Sequence, residues 1–314
     1  MTIPVNDALS VPGGRPAPSG PGGLGGPGAA GAAGAAGAGA ARGRGRLRQS
    51  LALYLPAGFL VLLIAACFLW PLVGSVPSPV GGSVLNSSLP IGSPGHLLGT
   101  DADGNDIFSR LLYGGRVSLE VGAATQLIGI VLGGLIGMIA GFSRGLLAAV
   151  LMRVLDVLIA FPSLVLALAI AEGLGPGELH VIWALSFYSV PAFARLARAG
   201  TLKLRDQNFM LAAALSGTRR WRIVLLHLAP NLLPQLLTFA CLGAGVAIIQ
   251  EGALSFLSLG VPPPGASWGN MIASGEQTMS VQPALVIIPC LALLITVATL
   301  NLLGDALRAR WSAR

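Results

Sequence analysis

An all-α membrane bundle of six transmembrane helices, preceded by a disordered tail, is the fold this sequence predicts, and three observations predict it. The chain is 54% hydrophobic and only 10% charged, where an ordinary soluble domain carries about 25% charged residues. Six apolar stretches are each long enough to cross roughly 30 Å of hydrocarbon, which takes about 20 helical residues. Basic side chains sort to one side of those crossings, as the positive-inside rule requires.

Residues 1–46 come first and are rich in Gly, Ala and Pro, as in "GGLGGPGAAGAAGAAGAGAARGRGR". They have no hydrophobic period and no bulky side chains to offset ordering entropy, so a disordered cytoplasmic tail is expected. Arg42, Arg44, Arg46 and Arg48 end that tail as a topology anchor just before the first apolar run. The spans then read 52–74, 118–142, 149–171, 180–199, 231–251 and 283–304. Residues 47–117 comprise the first span and an extracytoplasmic loop. Residues 118–308 form the core with a cytoplasmic loop at 200–230, and 309–314 form a short cytoplasmic tail.

Orientation follows from the arginines. Of 19 Lys and Arg residues only Arg110 and Arg116 fall outside, leaving 19 − 2 = 17 inside. The chain therefore reads as a multi-pass plasma (inner) membrane protein with both termini cytoplasmic. Gly133 and Gly137 form a GxxxG pair beside Gly134, which predicts close helix–helix packing, by default within the chain.

The stretch "NFMLAAALSGTRRWRIVLLHLAPN" (208–231) breaks the apolar pattern. Arginine costs about 2.5–3.5 kcal/mol at a helix centre, so Arg219, Arg220 and Arg222 must lie outside the bilayer core. Gly217 is the natural stop for a first short helix, and Pro230 the natural opening of the next membrane helix. A helix–turn–helix on the cytoplasmic face results. It is either an amphipathic interfacial connector or a docking element for a cytoplasmic partner.

That stretch resembles the signature loop of ABC importer permeases: two alanines, a glycine four residues on, and a proline closing the second helix. "LLGTDADGNDIFSRLLYGGRVSL" (97–119), "MRVLDVLIAFPSLVLALAI" (152–170), "EGALSFLSLGVPPPGASWGNM" (251–271) and "NLLGDALR" (301–308) are similar, in order and spacing, to the dipeptide/oligopeptide/nickel branch and its C-type subunit. The resemblance spans nearly everything from 50 to 308. It departs at Leu211, where the family has an acid, at Ser216, where it has leucine, and at the tail "RARWSAR".

The resemblance implies a type I ABC importer permease fold and a non-catalytic transport subunit forming half of a translocation path. Its expected partners are a second permease, two ABC ATPases, an extracytoplasmic substrate-binding protein and membrane lipid. No cofactor is expected in this chain, ATP and Mg being held by the ATPases. Their closure is expected to switch the permeases through the short helix as a lever. Ala212, Ala213, Gly217, Arg222, His227 and Pro230 match the positions expected to couple to the ATPase. Di- and oligopeptides are the implied cargo, with nickel or another small solute as the alternative.

Elsewhere the residues are read on their own terms. The chain's single lysine, Lys203, lies in no P-loop, so energy must come from outside the chain. A gradient-driven secondary transporter, which would be expected to carry intramembrane relays or inverted repeats, and a non-catalytic scaffold are the competing classes. Glu251 interrupts the apolar run 232–261, so a break or re-entrant turn is expected near "EGALSF", with Glu251 in the pathway or at a subunit contact. "TDADGND" (100–106) fits an EF-hand poorly and reads as an acidic helix cap. Arg153 and Asp156 are spaced for an intrahelical pair, and Trp268 for an interfacial anchor. Cys67, Cys241 and Cys290 read as buried free thiols, and three scattered histidines make no metal site. The net charge of +7 comes with no basic face bearing aromatics, so no nucleic-acid partner is expected.

Overall fold

The computed structural model describes residues 51–70, 78–143, 145–262 and 264–312. The expected tail at 1–46 and the end of the first span at 71–74 lie outside the described residues. Among the described residues five helices are long and apolar enough to cross a membrane, or six where a bent helix pair counts as one span.

Helix α1 (Leu51–Trp70) is an apolar rod that buries one stripe, Leu60, Leu63, Cys67 and Phe68, at helical spacing against the bundle. The loop that follows is folded by its own side chains. Thr100 is fully buried; its Oγ1 accepts from the Leu89 amide at 2.8 Å and donates to the Asn86 carbonyl. Asp101 Oδ1 accepts from the Asp103 and Asn105 amides at 3.0 and 2.8 Å, while its Oδ2 pairs with Arg110 at 3.1 Å. Asp106 caps the next helix by accepting the Ser109 amide at 2.8 Å, so the acidic turn is a cap, as its sequence reads.

Helix α2 (Ile107–Phe142) begins well before the expected 118, because that cap starts it. Its second half contains a π-helical segment, Gly129–Gly133. A Cβ added at Gly129, Gly133, Gly137 or Gly141 would strike Ser189 and Phe193, Val190, Ala194 or Thr201 of α5 (Glu178–Leu204). These four glycines form one stripe that lets two backbones touch. The expected intramolecular contact at Gly133 and Gly137 is thus present, whereas Gly134 points away, toward Leu236.

The expected third span, 149–171, is two helices, α3 (Leu146–Ile159) and α4 (Ser163–Leu174), bent by 87°. Pro162 is the cause: its ring disfavours helical backbone at Phe161 and ends α3. The expected Arg153–Asp156 pair does not form either. Asp156 meets Arg195 of α5 at 2.7 Å instead, where Met152 and Leu155 pack α3 against Ala194.

After the short helix α6 (Asn208–Leu215), helix α7 (Arg220–Phe256) runs for 37 residues. It passes through Glu251 itself and stops at Phe256, the last residue of "EGALSF", so the apolar run 232–261 is broken where a break was expected. A turn through Ser258 (φ 64) leads on to α8 (Trp268–Glu276) and α9 (Ala284–Ser312). Residues 309–312 therefore continue the last helix instead of forming a tail. Trp268 is 1% exposed, and its Nε1 donates to the Leu111 carbonyl at 3.0 Å. It is a core residue and not an interfacial anchor, because α8 folds back into the bundle. Of the cysteines, Cys67 is buried, Cys241 partly so, and Cys290 is exposed on α9.

The main core joins α2, α5, α6 and α7 through Met138, Phe193, Met210, Ala213, Val224 and Leu232. Phe193 meets Phe239 edge to face, with centroids 5.0 Å apart.

Candidate functional site

Three features lie at successive levels of α7: the loop at its start, a groove along its first half, and a buried carboxylate near its end. The loop is built around α6. The Ser216 amide donates to the Ala212 carbonyl at 3.0 Å, and the Thr218 amide donates to the Ala213 carbonyl at 3.2 Å. This six-to-one closure needs a left-handed residue between them, and Gly217 supplies it with φ 74. Among the described residues, no atom beyond its chain neighbours lies within 4 Å of where a Gly217 Cβ would stand. The backbone angle alone, not crowding, calls for glycine.

The two alanines divide their labour. Met210 and Ala213 are buried among Ile223, Val224 and Leu228 of α7, which roots α6 in the transmembrane core. Ala212 is exposed, as are Leu211 (54%) and Leu215 (89%). Arg222 is exposed and stacks over Trp221 at 5.2 Å. His227 is half-buried and its carbonyl accepts Asn231 Nδ2 at 2.6 Å.

Pro230 corrects the expected helix–turn–helix. It opens no new helix; it sits inside α7, directly after a π-helical segment, Ile223–Leu228. A proline ring collides with the carbonyl four residues earlier in an α-helix, and the wider π turn takes up that clash. The turn is confined to Ser216–Arg219, between α6 and α7.

Along the first half of α7 a groove of about 710 Å³ opens between α5, α7 and the end of α9. Asn231, Gln235, Thr238 and Arg308 give it polar groups, and Pro234, Phe239, Leu242 and Trp311 give it apolar wall. Asn231 and Gln235 are exposed, although hydrocarbon offers an amide no partner. A polar lining of that kind belongs to a face turned away from lipid.

Near the other end of α7, Glu251 is 0% exposed. Its Oε2 accepts from Ser118 Oγ of α2 at 2.8 Å and its Oε1 from Ser255 Oγ at 2.7 Å. Ser118 Oγ also accepts the Trp268 amide at 3.4 Å, which ties α2, α7 and α8 together. The carboxylate is satisfied within its own chain, by Ser118 and Ser255. Ser255, four residues after Glu251, was visible as a helical neighbour in the sequence. Ser118 carried no such signal, being 133 residues away.

Residues 133–314 match the family model described as the binding-protein-dependent transport system inner membrane component. The chain is 38% identical to the glutathione transport system permease protein GsiD of Pectobacterium atrosepticum, over 83% of this chain and 86% of that protein. It is 39% identical to the di/tripeptide transport system permease protein DppC of Pseudomonas aeruginosa, over 68% and 70% of the two chains. It is 37% identical to the dipeptide transport system permease protein DppC of Alkalihalophilus pseudofirmus over the same shares. Among solved structures, a chain of the MetNI methionine ABC transporter in an inward-facing conformation overlays with a TM-score of 0.52 at 19% identity. That overlay covers 63% of this chain and 95% of the other, and the helix bundle is what the two share.

Proposed function

Since the chain belongs to the family of binding-protein-dependent transport system inner membrane components, we propose that it is one permease subunit of an ATP-driven importer of di- and oligopeptides. It works with a second permease, two ATPase subunits that hold ATP and Mg, and an extracytoplasmic substrate-binding protein. The loop carrying α6 and both chain termini face the cytoplasm. The chain itself catalyses no reaction.

One observation carries this reading: a short helix whose inner side is fixed in the transmembrane core at Met210 and Ala213, and whose outer side presents Ala212, Leu211 and Leu215 uncovered. A rigid element rooted in the bundle passes a push from a docked motor into α7; a loose connector would absorb it. Ala212 supplies close approach, Gly217 the turn, Arg222 and His227 the basic flank, and Pro230 the fixed geometry where the π segment ends. The groove of Asn231, Gln235 and Thr238 supports a path wall, since amide side chains match the donors and acceptors of a peptide backbone. The peptide cargo is further supported by the names of the relatives.

The test is uptake of a labelled dipeptide by vesicles containing the chain with its partner subunits and binding protein. Uptake should stop when ATP is depleted and persist with a protonophore. Loss of uptake with the protonophore alone would make the chain a gradient-driven transporter. Accumulation of nickel in place of peptide would overturn the cargo and leave the ATP-driven importer standing.

A further inference from the structure

At the far end of α7 from α6, a pocket of about 390 Å³ opens between the α4–α5 turn, the turn that closes α7 and the end of α8. That volume falls within the roughly 300–1,000 Å³ in which small ligands are held. Its frame is fixed. The Gly177 amide donates to the Gly260 carbonyl at 2.9 Å, which joins the two turns. Asn270 Nδ2 of α8 donates to the Val261 carbonyl at 3.0 Å, which joins the third side.

Ser258 marks the pocket as more than a gap between turns. Its amide donates to the Ser255 carbonyl at 3.1 Å, and the Leu259 amide donates to the Leu254 carbonyl at 2.9 Å. This is the six-to-one closure of Gly217 over again, with φ 64 at Ser258 against 74 at Gly217. Glycine takes that angle freely, whereas serine takes it under strain. Strained residues gather at functional sites, and Ser258 is exposed and lines the pocket. Its hydroxyl makes no hydrogen bond among the described residues. Ser255, Asn270 and Ser274 already have partners, so Ser258, Gln277 and Glu276 are the polar groups left to meet a guest. Glu276 is exposed and has no ion pair among the described residues. No basic side chain lines the pocket, while Phe256, Val261 and Pro262 give it apolar wall. Its charge therefore suits a cationic group and repels a carboxylate.

We infer that this pocket receives the amino-terminal end of a short peptide, its ammonium on Glu276, its first peptide group on Ser258 and Gln277, and its first side chain against Phe256 and Pro262. A carboxylate and an ammonium form a charge-assisted hydrogen bond. A hydroxyl and an amide supply both the donor and the acceptor that a peptide group needs. The inference rests on the reading of the chain as a peptide importer's permease, which puts this end of α7 outside the cytoplasm.

The experiment reads protection of a thiol in the assembled transporter without ATP. The chain is freed of its own cysteines and carries Ala273→Cys, a half-buried position of the pocket wall. L-alanyl-L-alanine should slow its labelling by a maleimide, and N-acetyl-L-alanyl-L-alanine, which lacks the ammonium, should not. Labelling of Leu85→Cys should respond to neither. Glu276→Gln should raise the dipeptide concentration needed for protection about tenfold or more, the loss of a hydrogen bond to a charged group. Ser258→Gly should raise the thermal unfolding transition by relieving strain, and yet weaken protection about fivefold, the loss of one neutral hydrogen bond. Full protection of the Ser258→Gly or Glu276→Gln variant, or equal protection by the acetylated dipeptide, would overturn the inference. So would protection by the empty binding protein where free dipeptide gives none, which would assign the pocket to that partner. Dipeptide uptake without protection would sink the pocket and leave the importer standing; protection without uptake would uphold the pocket and remove the cargo reading.

Discussion

Glu251 and Gly217 make opposite demands on their surroundings. Glu251 depends on partners: Glu251→Ala leaves Ser118 and Ser255 buried without their acceptor, at about 1–3 kcal/mol for each stranded hydroxyl. Thermal unfolding in detergent should show a clearly lowered transition for Glu251→Ala and a smaller drop for Glu251→Gln, whose amide oxygen still accepts a hydroxyl. An Ala variant as stable as the native chain would show that the serines are satisfied elsewhere. Gly217 depends only on its backbone angle, so Gly217→Leu costs about 1–2 kcal/mol, enough to distort the turn. The expected phenotype is ATP hydrolysis without uptake in reconstituted vesicles, with Gly217→Asn far milder because asparagine tolerates the left-handed region. Normal uptake by Gly217→Leu would remove the loop from the mechanism. The glycine was legible because turn chemistry is local. The carboxylate's partners were only half legible, since α2 and α7 meet through the fold and not through the sequence.

Helix contacts within the bundle are governed by what a Cβ would strike. At Gly137 the nearest obstacle is the Ala194 carbonyl, which cannot move without moving α5. At Gly134 it is the tip of Leu236 at 3.5 Å, an ordinary contact. Gly137→Ala should therefore lower the yield of folded, monodisperse protein in size-exclusion chromatography, whereas Gly134→Ala should not. Equal behaviour of the two would deny the stripe its role. The GxxxG signal pointed to this face, but Gly129 and Gly141 extend it at four-residue spacing, and only the partner helix reveals which neighbours share it. The Asp156–Arg195 contact shows the complementary limit. The i,i+3 spacing of Arg153 and Asp156 favours a local pair by default, and the packing of α3 against α5 presents a better-placed arginine. Both side chains are nearly half exposed, so the pair is worth little to stability, about 0–1 kcal/mol.

For the molecule as a whole, the decisive question is which end faces the cytoplasm. Leu215 and Leu85 stand at opposite ends of the bundle, 89% and 94% exposed. In a chain freed of its own cysteines, a membrane-impermeant maleimide should label Leu85→Cys in intact cells and Leu215→Cys only after the membrane is opened. The reverse pattern would invert the topology and detach the loop from any ATPase. The number of crossings was legible because hydrocarbon thickness sets a length that composition meets or fails. The irregular parts were harder to read. Pro230 looked like a boundary, but a π segment carried the helix past it, and Trp268 looked like a membrane anchor although it is buried.

The unbroken course of α7 has a mechanical consequence. At 1.5 Å per residue its 37 residues span about 55 Å, from the arginines at one face to the neighbourhood of the Glu251 knot at the other. A helix resists compression along its axis, so an axial push on its first turn is carried toward its far end. Such a connecting rod works in either direction: an axial push applied near Phe256 would be carried toward Trp221.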